Sequence, residues 1–278
     1  MKFLFLITTA FISFQATAQY YYNDIIGTAE INRQMKNFRA NKVKMVTAVG
    51  VDQYGAKNTS FNEIQEVKEN GTVLKTSTRN NTQVSTYYNR FDAQGRLISI
   101  TDSSAGLINV ITYQYDTESR IKLIQNTTSD PANDFNQTEA HHWTYDVAGI
   151  PSKMWRTINN TDSLEIRFFP DENRLPGDEK TFRKEIETGA VYYYYDESKR
   201  LTDIVRYNSK LKKLMPDMMF EYDEQNRVIQ KITTTPSLNV TYLIWRYIFD
   251  ERGLKTKEAL FNNDKQLTGK IEYSYMFN

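Results

Sequence analysis

Phe220-Glu221-Tyr222-Asp223-Glu224-Gln225-Asn226-Arg227-Val228 is the stretch on which the reading of this chain turns. Two aromatics at i and i+2 share one face of a strand, and the Asp after them can accept hydrogen bonds from turn N–H groups. Asn three residues later tolerates φ > 0, and Arg-Val opens a return strand. The pattern recurs as Tyr113-Gln114-Tyr115-Asp116 with Arg120-Ile121, and as Trp143-Thr144-Tyr145-Asp146 with Gly149. It returns as Tyr193-Tyr194-Tyr195-Asp196 with Arg200-Leu201, and as Tyr247-Ile248-Phe249-Asp250 with Gly253-Leu254. Weaker copies are Phe91-Asp92 with Gly95-Arg96-Leu97, and Phe169-Pro170 before Asn173-Arg174-Leu175, where Pro stands in the Asp position. Val51-Asp52 and Val67-Lys68 read as degenerate leading units.

Anchors at 68, 92, 116, 146, 170, 196, 223 and 250 recur every 24 to 30 residues, and a second turn-rich patch such as Asn80-Asn81 or Asn159-Asn160 lies between them. Two reversals per unit predict two strands per repeat, hence an all-β antiparallel meander over residues 42–278. Its expected form is a long twisted or partly closed sheet of about 16 to 20 strands. After each turn the apolar positions are the first and fourth, as in Leu97 and Ile100 or Leu201 and Ile204. In a regular strand these lie on opposite faces, so either a bulge re-aims the chain or both faces are covered. Residues 19–41 precede the repeats; apolar Ile31, Met35 and Phe38 predict a short amphipathic helix over Asp24 to Ala40, capped by Asn23 or Asp24.

The 278-residue chain has no cysteine, which excludes disulfides, thiolate metal sites and a thiol nucleophile. Met1-Lys2, an apolar run from Phe3 to Phe14 and Ala16-Thr17-Ala18 together read as a secretory signal peptide spanning residues 1–18 and cut before Gln19. Loss of Lys2 removes the formal net charge of +1, so the mature protein has no global attraction to nucleic acid. No later segment could cross a membrane as a helix.

These repeats resemble the YD (RHS) repeat of bacterial secreted and cell-surface proteins, over roughly Lys42 to Asn278. The resemblance implies strands wound into a β-sheet shell, with carbohydrate binding and cell contact as associated roles. No C-terminal toxin module or autoproteolytic segment is recognisable, so only the architecture carries over. The leader and the Tyr-rich start of the mature chain are similar to small exported proteins of Bacteroidetes, which implies a periplasmic, surface or extracellular place in a Gram-negative bacterium.

The chemistry is sparse. His141 and His142 are the only histidines; adjacent strand residues face opposite sides, so no metal site is expected, and they read as a solvated strand beside Trp143. Asp92, Asp116, Asp146, Asp196, Asp223 and Asp250 are expected to cap turns rather than to pair for glycoside hydrolysis. No nucleophile elbow or phosphate loop is present, so the expectation is a non-enzymatic protein without a cofactor. The candidate binding surface is an aromatic platform of Trp143, Tyr145, Tyr193, Tyr195, Trp245 and Tyr247, for a glycan or a surface-protein partner. Alternatives are a secreted glycan-acting hydrolase, or a structural shell or outer-membrane-associated β protein without a small ligand.

Overall fold

The computed structural model describes residues 19–278 except 53, 103–105, 210 and 236–240; the expected leader lies outside them. A π-helical turn, Tyr21–Ile26, runs directly into helix α1, Gly27–Ala40. Then come β1 (Val43–Val51), β2 (Lys57–Lys68), β3 (Val73–Asn80), β4 (Gln83–Phe91), β5 (Leu97–Asp102) and β6 (Ile108–Tyr115). They are followed by β7 (Ile121–Asp130), β8 (Phe135–Tyr145), β9 (Pro151–Ile158), β10 (Asp162–Pro170), β11 (Pro176–Arg183) and β12 (Ile186–Tyr195). The last six are β13 (Leu201–Asn208), β14 (Lys213–Tyr222), β15 (Val228–Thr235), β16 (Thr241–Phe249), β17 (Lys255–Phe261) and β18 (Leu267–Phe277).

Every strand pairs antiparallel with its neighbours in sequence, and β18 pairs with β1 from Val43↔Phe277 to Val51↔Lys270. The expected long twisted or partly closed sheet is therefore corrected to a fully closed 18-stranded barrel, which leaves no free edge.

A recurrent bulge settles the apolar spacing. Tyr193 pairs with Ile204 and Tyr195 with Leu201, so Thr202 is the extra residue, and Leu201 and Ile204 face the same side as the two tyrosines. The same shift occurs at Arg90/Phe91, Gln114/Tyr115, Thr144/Tyr145, Glu221/Tyr222 and Ile248/Phe249. First and fourth positions thus both point into the barrel.

The inside is filled by the chain's own start. Met35 and Phe38 of α1 are buried in one cluster with Leu74, Leu97, Ile124, Trp143, Met154 and Leu254 of the wall. Tyr22 is buried with Val191, Tyr193, Ile204 and Phe220. Polar contacts fix this plug on several sides: Leu97 N donates to Asn32 Oδ1 at 2.8 Å, Asn37 donates to Gly253 O at 2.8 Å, and Arg39 Nε donates to Gly71 O at 2.6 Å. Large barrels otherwise enclose water or ligand; here a helix occupies that space.

The predicted helix cap is corrected. Asp24 is inside the helical segment and 2 % exposed, with its carboxylate turned to β8, while the first helical N–H groups are met by Glu179 of β11. Sequence favours a local cap because most caps are local; this one crosses the lumen.

Candidate functional site

Three places carry residues with possible chemistry: the turn rim, the lumen around the plug, and the outer wall. At the rim, Asp116 Oδ1 accepts from Glu118 N at 3.0 Å and Arg120 N at 2.8 Å, while Oδ2 accepts from Arg120 Nε at 2.7 Å. Asp92, Asp196 and Asp223 pair in the same way with Arg96, Arg200 and Arg227. Asp146 and Asp250 keep the backbone bonds, to Ile150 N and Leu254 N. The unit assigned to Pro170 is anchored one residue later: Asp171 Oδ1 accepts from Asn173 N and Leu175 N. Asp52 makes a similar turn at the opposite rim, since it joins an odd strand to an even one.

Each Arg then reaches the next repeat rather than its own ring. Arg96 lies 4.7 Å from the Tyr115 ring centroid, Arg120 4.7 Å from Tyr145, Arg200 5.0 Å from Tyr222 and Arg227 4.8 Å from Phe249. In return, Tyr115, Tyr145 and Tyr222 donate their hydroxyls to the carbonyls of Leu97, Ile121 and Leu201, at 2.7, 2.8 and 2.7 Å. Burial of Asp92, Asp116, Asp196 and Asp223 would raise their pKa values, but the turn N–H groups and the Arg outweigh it and hold all four below the ordinary range. These four carboxylates are thus held within their own turns.

Inside, sequence reasoning missed a buried ionic chain. His141, expected on a solvated strand, is 1 % exposed. Its Nδ1 lies 2.7 Å from Asp24 Oδ2 and its Nε2 2.9 Å from Glu139 Oε1; Trp143 Nε1 donates to the same Asp24 oxygen at 3.0 Å. Arg156 closes the chain with bonds of 2.9 and 2.6 Å to Glu139. Desolvation alone would lower the His141 pKa, but the two carboxylates outweigh it and raise it to about 9. Protonated, both ring nitrogens are donors and neither can act as a base. The correction has a plain cause: β8 alternates Glu139, His141, Trp143 and Tyr145 inward, and the partner that compensates burial of His141 comes from the plug.

The structure places the candidate aromatic platform on this inner wall. Trp143, Tyr193 and Trp245 are 3 %, 3 % and 8 % exposed. Trp143 stacks on Phe168 at 5.1 Å, Tyr21 of the plug meets Tyr193 edge-on at 5.3 Å, and Tyr145 and Tyr195 use their hydroxyls on backbone carbonyls. Tyr247, two residues from Trp245 on β16, has Lys255 Nζ 4.6 Å from its ring centroid. These rings pack the wall and its plug.

The outer wall mixes charged residues with exposed apolar ones such as Tyr194, Tyr207, Leu243 and Ile248. Outward positions include Lys153, Glu165, Arg167, Lys180, Arg246, Lys257 and Glu272, several in ion pairs such as Lys153–Glu165 at 2.7 Å and Arg167–Glu165 at 2.7 Å. A lipid-facing Arg or Lys at mid-bilayer would cost about 2–4 kcal/mol. One groove of about 240 Å³ interrupts the wall near the rim opposite the Asp–Arg turns, lined by Trp155, Phe182, Arg183, Asp162 and Glu185. Trp155 is 42 % exposed, Arg167 covers the Phe182 ring at 4.3 Å, and Arg183 grips Asp162 with bonds of 2.5 and 3.2 Å.

The fold and its contents define a class: a closed antiparallel repeat barrel plugged by its own N-terminal helix. No family model matches the chain, and no curated protein matches it. Among solved structures, the TcdB2-TccC3-Cdc42 complex matches at 16 % identity over 78 % of this chain, with a TM-score of 0.35. The Tc holotoxin pore of Photorhabdus luminescens matches at 16 % identity over 78 % of this chain, with a TM-score of 0.34. This chain spans 12 % of the length of either. A porin-like protein from Bacteroides uniformis matches at 11 % identity over 84 % of this chain and 98 % of its own, with a TM-score of 0.43.

Proposed function

We propose that this chain is an exported, non-enzymatic β-shell of the Gram-negative envelope, built of YD-type repeats and acting as a structural wall without a small ligand in its lumen. The observation that carries this reading is the plug: Met35, Phe38 and Tyr22 fill the space that a channel or binding cavity would need. Support for the absence of catalysis comes from the carboxylates, which are committed to turns, and from His141, which has no free nitrogen. The ion pairs on the outer face, such as Lys153–Glu165 and Arg167–Glu165, support attachment to the envelope by contact rather than immersion in lipid. Planar-bilayer conductance and cell fractionation test it. Purified residues 19–278 should open no channels and should partition with water-soluble or salt-extractable envelope protein. Steady unit conductance would overturn the reading.

A second reading, glycan binding, is favoured by the external groove, where Trp155 offers an exposed ring beside the Arg183–Asp162 pair. On a glycan array, wild-type protein should bind and Trp155→Ala should not, while stability changes by less than about 0.5 kcal/mol. Silence of the wild type on the array and in pull-downs leaves the shell without this partner.

A further inference from the structure

We propose that the α-ammonium freed by cleavage before Gln19 docks inside the barrel as the counter-charge of Glu179, so that removal of residues 1–18 completes the stability of the shell. The inference rests on the export reading and extends it to how the plug is seated.

Glu179 is 0 % exposed. Its Oε1 accepts from Tyr20 N at 3.0 Å, and its Oε2 accepts from Tyr21 N at 2.9 Å and from the Tyr193 hydroxyl at 2.6 Å. Among the described residues no Lys, Arg or His forms an ion pair with it. A buried carboxylate facing the first N–H groups of a helix gains from their partial positive charge, but that is less than a full counter-ion. Burial pushes its pKa up.

Gln19 sits beside it. It is 4 % exposed, and its side-chain amide donates to Asp217 Oδ2 at 2.8 Å. Successive backbone nitrogens lie roughly 3–4 Å apart, which puts the Gln19 nitrogen within about 7 Å of the Glu179 carboxylate. Around this end of the plug stand four carboxylates, Asp24, Glu139, Glu179 and Asp217. Arg156 pairs with Glu139, Arg206 with Asp217 and His141 with Asp24, so of the four it is Glu179 that has no basic side chain against it among the described residues. In the uncleaved chain the Gln19 nitrogen is an uncharged amide; in the cleaved chain it carries a positive charge within reach of Glu179.

A free N-terminal Gln has a competing fate. Its α-amine can attack its own side-chain carbonyl, forming the lactam C–N bond, breaking the C–Nε2 bond and expelling ammonia, which leaves no charge. With Nε2 bound to Asp217 and the amine drawn to Glu179, the two reacting groups are held to different partners. The mature protein is therefore expected to retain open-chain Gln19.

N-terminal sequencing and intact mass of the exported protein come first: a free Gln19 is expected. Retention of Met1 would overturn the export reading on which the docking depends; a processed chain that begins elsewhere, or a lactam at Gln19, would overturn the docking alone. The coupling is then measured on chains beginning at Gln19, with the amine free or cyclised by a glutaminyl cyclase before refolding, each carrying Glu179 or Glu179→Gln. Blocking the amine should lower Tm by roughly 4 °C with Glu179 present and leave it unchanged with Glu179→Gln. Equal shifts in both backgrounds would refute the pairing. Should Glu179→Gln not fold, the free and cyclised wild-type chains are compared from pH 7 to 10. An amine that is protonated more readily when folded keeps its advantage below its unfolded pKa of about 8 and loses it above. A difference in Tm that stays constant across that range would also refute it.

Discussion

Changing His141 to Gln should remove a pH-dependent part of the protein's stability whose size follows from the geometry. The imidazole is 1 % exposed between Asp24 and Glu139, and its pKa rises from 6.5 to about 9 on folding. A group protonated more readily in the folded state contributes fully below its unfolded pKa, and that contribution is lost as pH rises through the folded value. For this shift the contribution is roughly 3 kcal/mol, present below about pH 6.5 and gone above about pH 9. Urea unfolding of residues 19–278 should therefore be run at pH 6, 7.5 and 9.5 on the wild type and on His141→Gln. Taking the difference between the two cancels titration of groups they share. The wild type should lead by at least about 3 kcal/mol at pH 6, since loss of the imidazolium leaves two buried carboxylates facing each other. That lead should shrink by a similar amount by pH 9.5. His142→Gln, one residue on and facing outward, should match the wild type throughout. A lead that stays constant with pH, or grows, would show that His141 is neutral in the barrel and would refute the ionic chain.

Three further outcomes follow from the same structure. Met35→Ala empties a site that is 0 % exposed at the centre of the plug and should cost about 2–5 kcal/mol in urea unfolding, with near-UV dichroism weakened as the surrounding rings loosen. Tyr222→Phe removes the hydroxyl bond to Leu201 O and should cost about 1 kcal/mol by calorimetry. The same change at Tyr145, two tyrosine-bearing turns away, should add to it independently. Asp223→Asn keeps a side-chain acceptor for the turn, as Asn262 does for Asp264 N and Gln266 N, but loses the charge facing Arg227. Because the Asp223 pKa is lowered on folding, its contribution is present above about pH 4 and lost as pH falls further, so the urea midpoint of the variant should fall less steeply from pH 5 to pH 3 than that of the wild type.

The turn unit was legible because its chemistry is local. Asp223 serves Gln225 N, Arg227 N and Arg227 Nε, all within four residues, so the recurrence of Asp, a φ-tolerant residue and Arg spells out the geometry wherever it appears. Pro170 misleads for a local reason as well: Phe169 mimics the ring before an anchor, whereas Phe168 is the inward ring, Pro170 takes the second ring position at the bulge and Asp171 makes the turn. The inward set of apolar residues was visible, but its one-sidedness depends on a bulge that only pairing with the neighbouring strand reveals. Trp155 and Trp143 have the same residue type and differ in register: Trp143 pairs with inward-facing Met154, and Trp155, one residue on, faces outward, so one lines a groove and the other packs the lumen.

By itself, then, the sequence determined the repeating antiparallel hairpins, the turn anchors and a helix ahead of them, because strand period, turn chemistry and amphipathic spacing act over a few residues. Closure of β1 on β18, entry of the helix into the barrel, and burial of His141 and Glu179 were decided by tertiary structure alone. The reason is separation along the chain. Asp24 and His141 stand 117 residues apart, and Tyr20 and Glu179 stand 159 apart. A polar group that no nearby residue can satisfy reads as solvated until the fold delivers its partner.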